Sequence, residues 1–135
     1  MGGRVAVVTG AARGLGAAIA EELAARGMLV VVADRDSQAA AATAERIADA
    51  AGGSVGQAGH AAQTGRPPHE AGQAGRSAAA AAVDVADPAA VAALFDAVAG
   101  EHGRIDVLVN DAGVGSVAPS EELDNDVWSR TIAVT

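Results

Sequence analysis

The sequence lacks three residue types that carry much of enzyme chemistry. It contains no cysteine and no tyrosine, and its nine basic residues are all arginine, so lysine is absent as well. The absence of cysteine excludes disulfides, thiolate metal sites and a cysteine nucleophile. It fits a reducing compartment, and we expect a cytoplasmic protein. The absence of tyrosine and lysine removes two groups that often serve in acid–base catalysis.

Positive charge and long apolar runs are also scarce. The formal net charge of the 135 residues is -8, which argues against nucleic acid or an anionic membrane as a partner. The longest strongly apolar run, Met28 to Ala33, is far too short to cross a bilayer. We expect no signal peptide, because the N-terminus passes almost directly into an apolar run and a glycine-rich turn. The length predicts a single domain over residues 1–135.

A strand, a glycine turn and a helix follow one another at the start of the chain. The apolar run from Val5 to Thr9 predicts a buried strand, and the residues after it include three glycines: Gly10, Gly14 and Gly16. Leu15, Ile19 and Leu23 then recur at four-residue spacing, as on one face of a helix. The first N–H groups of a helix have no intrahelical partners and attract anions, so this arrangement predicts a diphosphate-binding site.

The order of these glycines is informative. The segment TGAARGLG carries three residues between Gly10 and Gly14 and one between Gly14 and Gly16, the reverse of the general dinucleotide pattern. It resembles the cofactor motif of the short-chain dehydrogenase/reductase family. The resemblance implies an oxidoreductase that transfers hydride between a nicotinamide dinucleotide and an alcohol or carbonyl carbon. It also implies that Arg13 and Leu15, within the motif, lie at the cofactor.

An acidic residue follows the second predicted strand. Asp34 comes directly after Met28 to Ala33 and about 20 residues beyond the glycine turn, where a carboxylate can accept hydrogen bonds from ribose hydroxyls. A 2′-phosphate about 4 Å from this carboxylate would be repelled by about 4 kcal/mol at a surface-like dielectric. We therefore expect NAD, with NADP less favoured. Arg13 and Arg35 argue the other way, because either could hold a phosphate.

The rest of the chain predicts alternating helices and strands. A helix is expected from Ser37, its N-cap, to Ala51, and a third strand from Ala78 to Val85, although its alanine run would also suit a helix. Asp87 and Pro88 predict another helix start. Elements that complete the pattern are a helix ending at Gly103, a strand from Ile105 to Val109 and a last helix capped by Asp124 or Asn125 and reaching Val134.

Residues 53–77 differ from the rest. They are rich in glycine, glutamine and alanine, contain two adjacent prolines and show no apolar period, so we expect a disordered insertion. His60 and His69 lie in this segment, but two histidines without further ligands do not predict a metal site. We expect no metal elsewhere.

The family resemblance extends to the later strands. Asp84 and Val85 match an acidic–hydrophobic pair that lies against the adenine in the family, and NDAG matches the family's Asn-Asn-Ala-Gly, with Asp111 as the departure. The residues carried over from NDAG to the cofactor site are Asn110, Ala112 and Gly113. The implied fold is α/β, a partial Rossmann-type doubly wound parallel sheet with strand order 3-2-1-4.

The residues that the family uses for catalysis have no counterpart here. A tyrosine acid–base and a lysine that lowers its pKa are missing, and Thr135 stands where the family has a catalytic-site asparagine. The resemblance covers Val5 to the last residue, which is the cofactor-binding half of a typical member. We expect a chain that is inactive alone, with no catalytic residue to assign.

Three alternatives remain open. The chain is the truncated half of such an enzyme, a non-catalytic dinucleotide-binding module, or a subunit completed by another chain. The fourth strand would be an exposed apolar edge, so we expect marginal stability and self-association through it.

Overall fold

The computed structural model describes residues 3–52, 54–57, 76–114, 119–122 and 124–135 of the chain. This part of the protein contains five strands and four α-helices. The strands are β1 (Val5–Thr9), β2 (Leu29–Asp34), β3 (Ser54–Gln57), β4 (Arg76–Ala82) and β5 (Val107–Asn110). The helices are α1 (Gly14–Ala25), α2 (Ser37–Ala51), α3 (Pro88–His102) and α4 (Asn125–Val134), with a short 3-10 helix at Ser120–Glu122.

The strands form one parallel sheet in the order β3-β4-β2-β1-β5. The expected order of the third, second, first and fourth predicted strands is confirmed by β4-β2-β1-β5. The additional strand β3 pairs with β4 at the outer edge. It falls inside the predicted insertion, as does the start of β4, whereas residues 53 and 58–75, with His60 and His69, lie outside the described residues.

Alternate residues of the strands face two separate apolar layers. Val8, Val30 and Val32 pack with alanines of α1 and α2 on one face of the sheet. Val7 and Val31 pack with Leu94 and Val98 of α3 on the other. The expected doubly wound α/β architecture is therefore present, with helices on both faces.

Alanine supplies much of the first layer. The buried residues of α1 are Gly16, Ala17, Ala20 and Ala24, so the helix approaches the sheet through small side chains. The apolar residues that recur at four-residue spacing in the sequence lie on a different face of α1. Leu15 is 67% exposed, and Ile19 and Leu23 are only partly buried. The four-residue spacing is helical, but it does not identify the buried side.

The alanine run of β4 is a strand. Ala78 to Ala82 pair with Val30 to Asp34 of β2, and β3 pairs on the other side, so neighbouring strands override the helical preference of alanine. The strand ends at Ala82, and Val83, Asp84 and Val85 follow it in a loop.

Side-chain caps begin three of the four α-helices. Asp87 caps α3 as expected, and Asp124 rather than Asn125 caps α4. The cap of α2 is Asp36, not Ser37: its carboxylate accepts a hydrogen bond from Ala39 N at 3.0 Å. Gly27, Gly52 and Gly103 follow helices with positive φ angles of 80°, 66° and 72°, as expected for C-terminal glycines.

Candidate functional site

The N-terminus of α1 differs from those of the other three α-helices in the described part of the chain. Arg13 occupies the cap position, and no side chain there accepts a hydrogen bond from the first turn. The first turn of α1 also contains no acidic residue. Its leading N–H groups and the positive end of the helix dipole are therefore available to an anion from outside the helix.

Two glycines let the backbone pack closely at this turn. A Cβ atom at Gly10 would lie 2.7 Å from both Cα and N of Ala112, and the φ angle of Gly10 is 67°. A Cβ at Gly16 would overlap the carbonyl oxygen of Gly10 and lie 2.8 Å from Asp111 Oδ2. A Cβ at Gly14 would instead meet no heavy atom within 4 Å, and only its φ of 62° requires glycine. The space beside Gly14 is open for a ligand.

The residues between the glycines are held by β2 and α2. Ala11 N donates to the carbonyl oxygen of Ala33 at 3.2 Å. Ala12 N donates to Asp34 Oδ2 at 3.2 Å, and the buried Thr43 hydroxyl donates to the carbonyl oxygen of Ala12 at 2.7 Å. The glycine turn and the second strand therefore form one hydrogen-bonded unit.

The carboxylate of Asp34 has structural partners as well as an open side. Its Oδ1 accepts from Asp36 N at 3.0 Å while its Oδ2 accepts from Ala12 N. Each carboxylate oxygen can accept more than one hydrogen bond, so the two backbone contacts leave acceptor capacity for hydroxyl groups. Asp34 is half-buried at the carboxyl end of β2.

The two arginines near Asp34 are placed differently. Arg13 Nη2 lies 2.6 Å from Asp36 Oδ2, and both side chains are largely solvent-accessible, at 74% and 45%. This exposed ion pair contributes little stability and can open without great cost. Arg35 is exposed and, like Arg13, borders the open space beside Asp34.

The carboxyl end of β5 completes the other side of the turn. The Thr9 hydroxyl donates to the carbonyl oxygen of Val109 and accepts from Ala112 N, both at 3.4 Å. Thr9 is buried, so it links the ends of β1 and β5. Asp111 is half-buried and lines the cleft beside Gly16, which places this departure from the family motif at the entrance to α1.

These elements surround a cleft of about 560 Å³ at the carboxyl ends of the strands. Of the sequence-predicted site residues, it is lined by Gly10, Arg13, Asp34, Arg35, Asp84, Val85, Ala112 and Gly113. Gly14, Leu15 and Gly16 lie in the adjoining first turn of α1. Asn110 lines a smaller cavity of about 250 Å³ that shares Val85 and Ala112 with the cleft.

Other lining residues were not identified from the sequence. They are Ala33, Asp36, Val83, Val114 and Val134. Asp36 could have been found as a carboxylate one residue before Ser37 at a helix start, which is a strong N-cap position. Val134 could not, because the packing of α4 beside the cleft depends on contacts distant in sequence.

The described residues contain no group of three or more histidine, cysteine or acidic side chains that could hold a metal ion. None of the described helices is both long and apolar enough to span a membrane.

The chain matches the family profile described as short chain dehydrogenase over residues 4–64 and 44–135. It belongs to the short-chain dehydrogenase family. The strand order, the glycine turn before α1 and Asp34 at the carboxyl end of β2 agree with this assignment, which confirms the resemblance seen in the sequence.

Several curated members of the short-chain dehydrogenase family are similar to this chain. The D-threitol dehydrogenase of Mycolicibacterium smegmatis is 40% identical over 132 residues, which are 98% of this chain and 42% of that protein. The short-chain reductase protein NovJ of Streptomyces niveus is 42% identical over 130 residues, or 96% of this chain and 40% of that protein. The chain thus spans about two fifths of the length of these relatives.

Solved short-chain dehydrogenase structures share the fold. A metagenomic short-chain oxidoreductase in complex with NADP is 36% identical, with a TM-score of 0.76 over 99% of this chain and 50% of that chain. A short chain dehydrogenase/reductase from Burkholderia phymatum in complex with NAD is 32% identical, with a TM-score of 0.77 over 98% of this chain and 39% of that chain.

Proposed function

We propose that this chain is the dinucleotide-binding part of an oxidoreductase that acts on an alcohol/carbonyl pair. The observation that carries the proposal is the uncapped N-terminus of α1, which opens beside Gly14 onto the cleft that contains Asp34. Bound NAD would supply the hydride chemistry. The protein would supply the binding site and orient the cofactor in it.

Different residues of the cleft would contact different parts of the cofactor. The first-turn amides of α1 would bind the diphosphate, with Arg13 and Leu15 beside it. Asp34 would accept from ribose hydroxyls through the capacity that its backbone contacts leave free. Asp84 and Val85 would contact the adenine, and Asn110, Ala112 and Gly113 the nicotinamide side.

Amide groups rather than side-chain charge would have to hold the diphosphate. The cleft is lined by four aspartates, Asp34, Asp36, Asp84 and Asp111, and by two arginines, Arg13 and Arg35. The formal charge of these six side chains is 2 - 4 = -2. An anion is therefore favoured only close to the positive end of α1, where oriented N–H groups act over short distances.

We infer that NAD is preferred to NADP, because the Asp34 carboxylate would repel a 2′-phosphate. Arg13 would have to leave its ion pair with Asp36 to hold that phosphate. NADP is the second candidate: Arg35 is exposed at the cleft, and a relative 36% identical to this chain was solved with NADP.

The chain would not catalyse turnover by itself. Hydride transfer to or from an alcohol needs a group that moves a proton near neutral pH, and the sequence contains neither tyrosine nor lysine. The alternative is a non-catalytic dinucleotide-binding module, or a subunit that another chain completes. The substrate would be a small alcohol or carbonyl compound in either completed form.

We also propose that the protein is cytoplasmic and that it self-associates through β5. β5 pairs only with β1 among the described strands, and Leu108 on it is 45% exposed. An edge strand of this kind can pair with another chain.

Calorimetric titration with NADH and NADPH tests the function. We expect saturable binding of NADH, weaker binding of NADPH, and no oxidation of NADH when simple aldehydes and ketones are added. A folded sample that gives no binding heat and no fluorescence change with either nucleotide would overturn the proposal. Turnover by the pure chain would overturn only the proposal that the chain is inactive by itself.

A further inference from the structure

A buried hydroxyl reaches the glycine turn from a helix that does not line the cleft. Thr43 lies in the middle of α2, is 1% exposed, and donates from Oγ1 to the carbonyl oxygen of Ala12 at 2.7 Å. The buried face of α2 consists otherwise of Ala40, Ala44, Ile47 and Ala48. Thr43 is thus the one polar side chain on that face, and its partner belongs to the turn rather than to its own helix.

The bond has a consequence for the direction of a peptide group. The described residues contain no cis peptide bond, and in a trans peptide the C=O of one residue and the N–H of the next point in opposite directions. Because the carbonyl of Ala12 points toward Thr43, the N–H of Arg13 points away from α2. Arg13 is the cap residue of α1 and lines the cleft.

The same short segment is fixed from its other end. Ala12 N donates to Asp34 Oδ2 at 3.2 Å, so the two peptide groups that flank Ala12 are bonded to separate elements. Asp34 fixes the peptide before Ala12, and Thr43 fixes the peptide after it. Without the hydroxyl, the segment between Gly10 and Gly14 would keep the bonds of Ala11 N and Ala12 N to β2 and the exposed ion pair of Arg13 with Asp36. None of these contacts involves the carbonyl oxygen of Ala12, so the peptide before Arg13 could rotate.

We propose that Thr43 is a positioning residue of the cofactor site: its hydroxyl orients the Ala12–Arg13 peptide and so presets the amides that receive the diphosphate. This inference rests on the proposed dinucleotide binding. Preset donors bind an anion more tightly than donors that must be ordered on binding. Thr43 acts through Ala12 and is not among the residues that line the cleft.

The test compares three substitutions at this site with one elsewhere. Thr43→Val keeps the shape and removes the hydroxyl, Thr43→Ser keeps the hydroxyl and removes the methyl group, and Thr43→Ala removes both. Thr131→Val is the matched control, because the Thr131 hydroxyl donates to the carbonyl oxygen of Val127 within α4 at 2.8 Å. NADH dissociation constants are measured by calorimetry at a low temperature where circular dichroism shows each variant to be folded.

We expect Thr43→Val to weaken NADH binding about tenfold, since an unmade buried hydrogen bond shifts equilibria by roughly this factor. Thr43→Ser should restore binding to within about threefold and Thr131→Val should leave it within about twofold of the wild type. If Thr43→Val does not fold, the comparison of Thr43→Ala with Thr43→Ser decides in the same way.

A purely structural role would lower the melting temperature of Thr43→Val and leave the dissociation constant of the folded protein unchanged. That result, with normal binding by the wild type, would overturn the positioning role alone, as would tenfold weaker binding by Thr43→Ser. If both Thr43→Val and Thr43→Ala are unfolded while Thr43→Ser is folded and binds normally, the hydroxyl serves stability and the positioning role is again overturned. Absence of binding by the wild type would overturn the proposed function as well.

Discussion

The start and the end of the chain are built differently around the same sheet. In the first region, β1, α1, β2 and α2, the turn, the strand end and the helix are linked by hydrogen bonds from Ala11, Ala12 and Thr43. In the second, β5 and α4, Leu108, Trp128 and Ile132 are 45%, 61% and 62% exposed, and α4 has no buried residue. The candidate cofactor seat is therefore held by contacts within the first region, whereas the second region presents apolar surface.

The comparison separates the hydrogen bonds that hold the candidate cofactor site from the apolar surface of the second region. The strand β5 and the loop after it contribute to this site through the approach of Ala112 to Gly10, the position of Asp111 beside Gly16 and the hydrogen bond from Ala112 N to Thr9. The acid–base residues used by the family have no counterpart in the sequence. Changes in the first region should therefore alter stability and cofactor affinity, while changes in the second should alter association.

The largest effect is expected at Gly10, where the two regions touch. Gly10→Ala would place a Cβ 2.7 Å from backbone atoms of Ala112 at a φ of 67°, so backbone must move. We expect a loss of about 3 kcal/mol in the free energy of unfolding. Gly14→Ala is the matched control, because its φ is 62° but its Cβ meets nothing within 4 Å. It should lose only about 1 kcal/mol. Urea denaturation measures both, and equal losses would refute the close approach.

A smaller effect, on selectivity, is expected at Asp34. Asp34→Asn removes the charge but keeps one oxygen as an acceptor for a backbone N–H. The preference for NADH over NADPH should fall about tenfold, because solvent and salt screen the repulsion of a 2′-phosphate from the surface-like value of about 4 kcal/mol toward the value of about 1 kcal/mol in bulk water. The ratio of the two dissociation constants is the measurement. Asp96→Asn, an equal charge change on an exposed part of α3, should leave the ratio unchanged. Unchanged selectivity in Asp34→Asn would remove Asp34 from the ribose site.

The apolar surface of the second region gives the next prediction. Leu108→Lys places a charge on the edge strand β5, and we expect self-association to weaken about tenfold, the effect of losing one buried leucine side chain. Sedimentation velocity over a range of concentrations measures it. Val127→Lys makes the same kind of change on α4, where Val127 is 39% exposed. A larger effect of Val127→Lys would shift the association surface from β5 to α4.

The smallest effect is expected where the two regions meet at the amino ends of β1 and β5. The guanidinium of Arg104 hydrogen-bonds the Asp106 carboxylate, which also accepts from Val5 N at 2.8 Å, and these contacts lower the pKa of Asp106 below its ordinary value of 3.8. The carboxylate therefore stabilises the fold above about pH 4, and this contribution is lost as the pH falls through the lowered pKa.

Asp106→Asn should accordingly flatten the dependence of stability on pH below about pH 4. Urea midpoints between pH 3 and pH 7, approximate limits set around the ordinary carboxyl pKa, provide the measurement. Because the pair is at the surface, we expect a small change in midpoint. An identical pH profile for wild type and variant would show that Asp106 adds nothing to the junction of β1 and β5.

The elements themselves were largely predictable, but the faces and ends of several were not. The run from Val5 to Thr9 is apolar up to Val8 and is a buried strand, and Asp87 before Pro88 marked the start of α3 correctly. The stripe of Leu15, Ile19 and Leu23 did not identify the buried face of α1, because close packing at the glycine turn selects small residues.

The candidate site was predictable where a residue type is rare or conformationally special. Gly10 and Asp34 were found because a positive φ angle and a carboxylate at a strand end are local requirements. Asp36 and Thr43 were not identified as parts of the site, because an aspartate and a threonine serve many purposes and their partners lie 23 and 31 residues away.

The sequence by itself determined the order of the strands and helices apart from β3, the glycine turn before α1 and the absence of tyrosine and lysine, since each depends on neighbouring residues or on composition. Only the tertiary structure decided that Ala78 to Ala82 form a strand, that Thr43 bonds Ala12, and that Asp111 lies beside Gly16. These outcomes depend on contacts between residues far apart in the chain, and such contacts exist only once the sheet has brought its strand ends together.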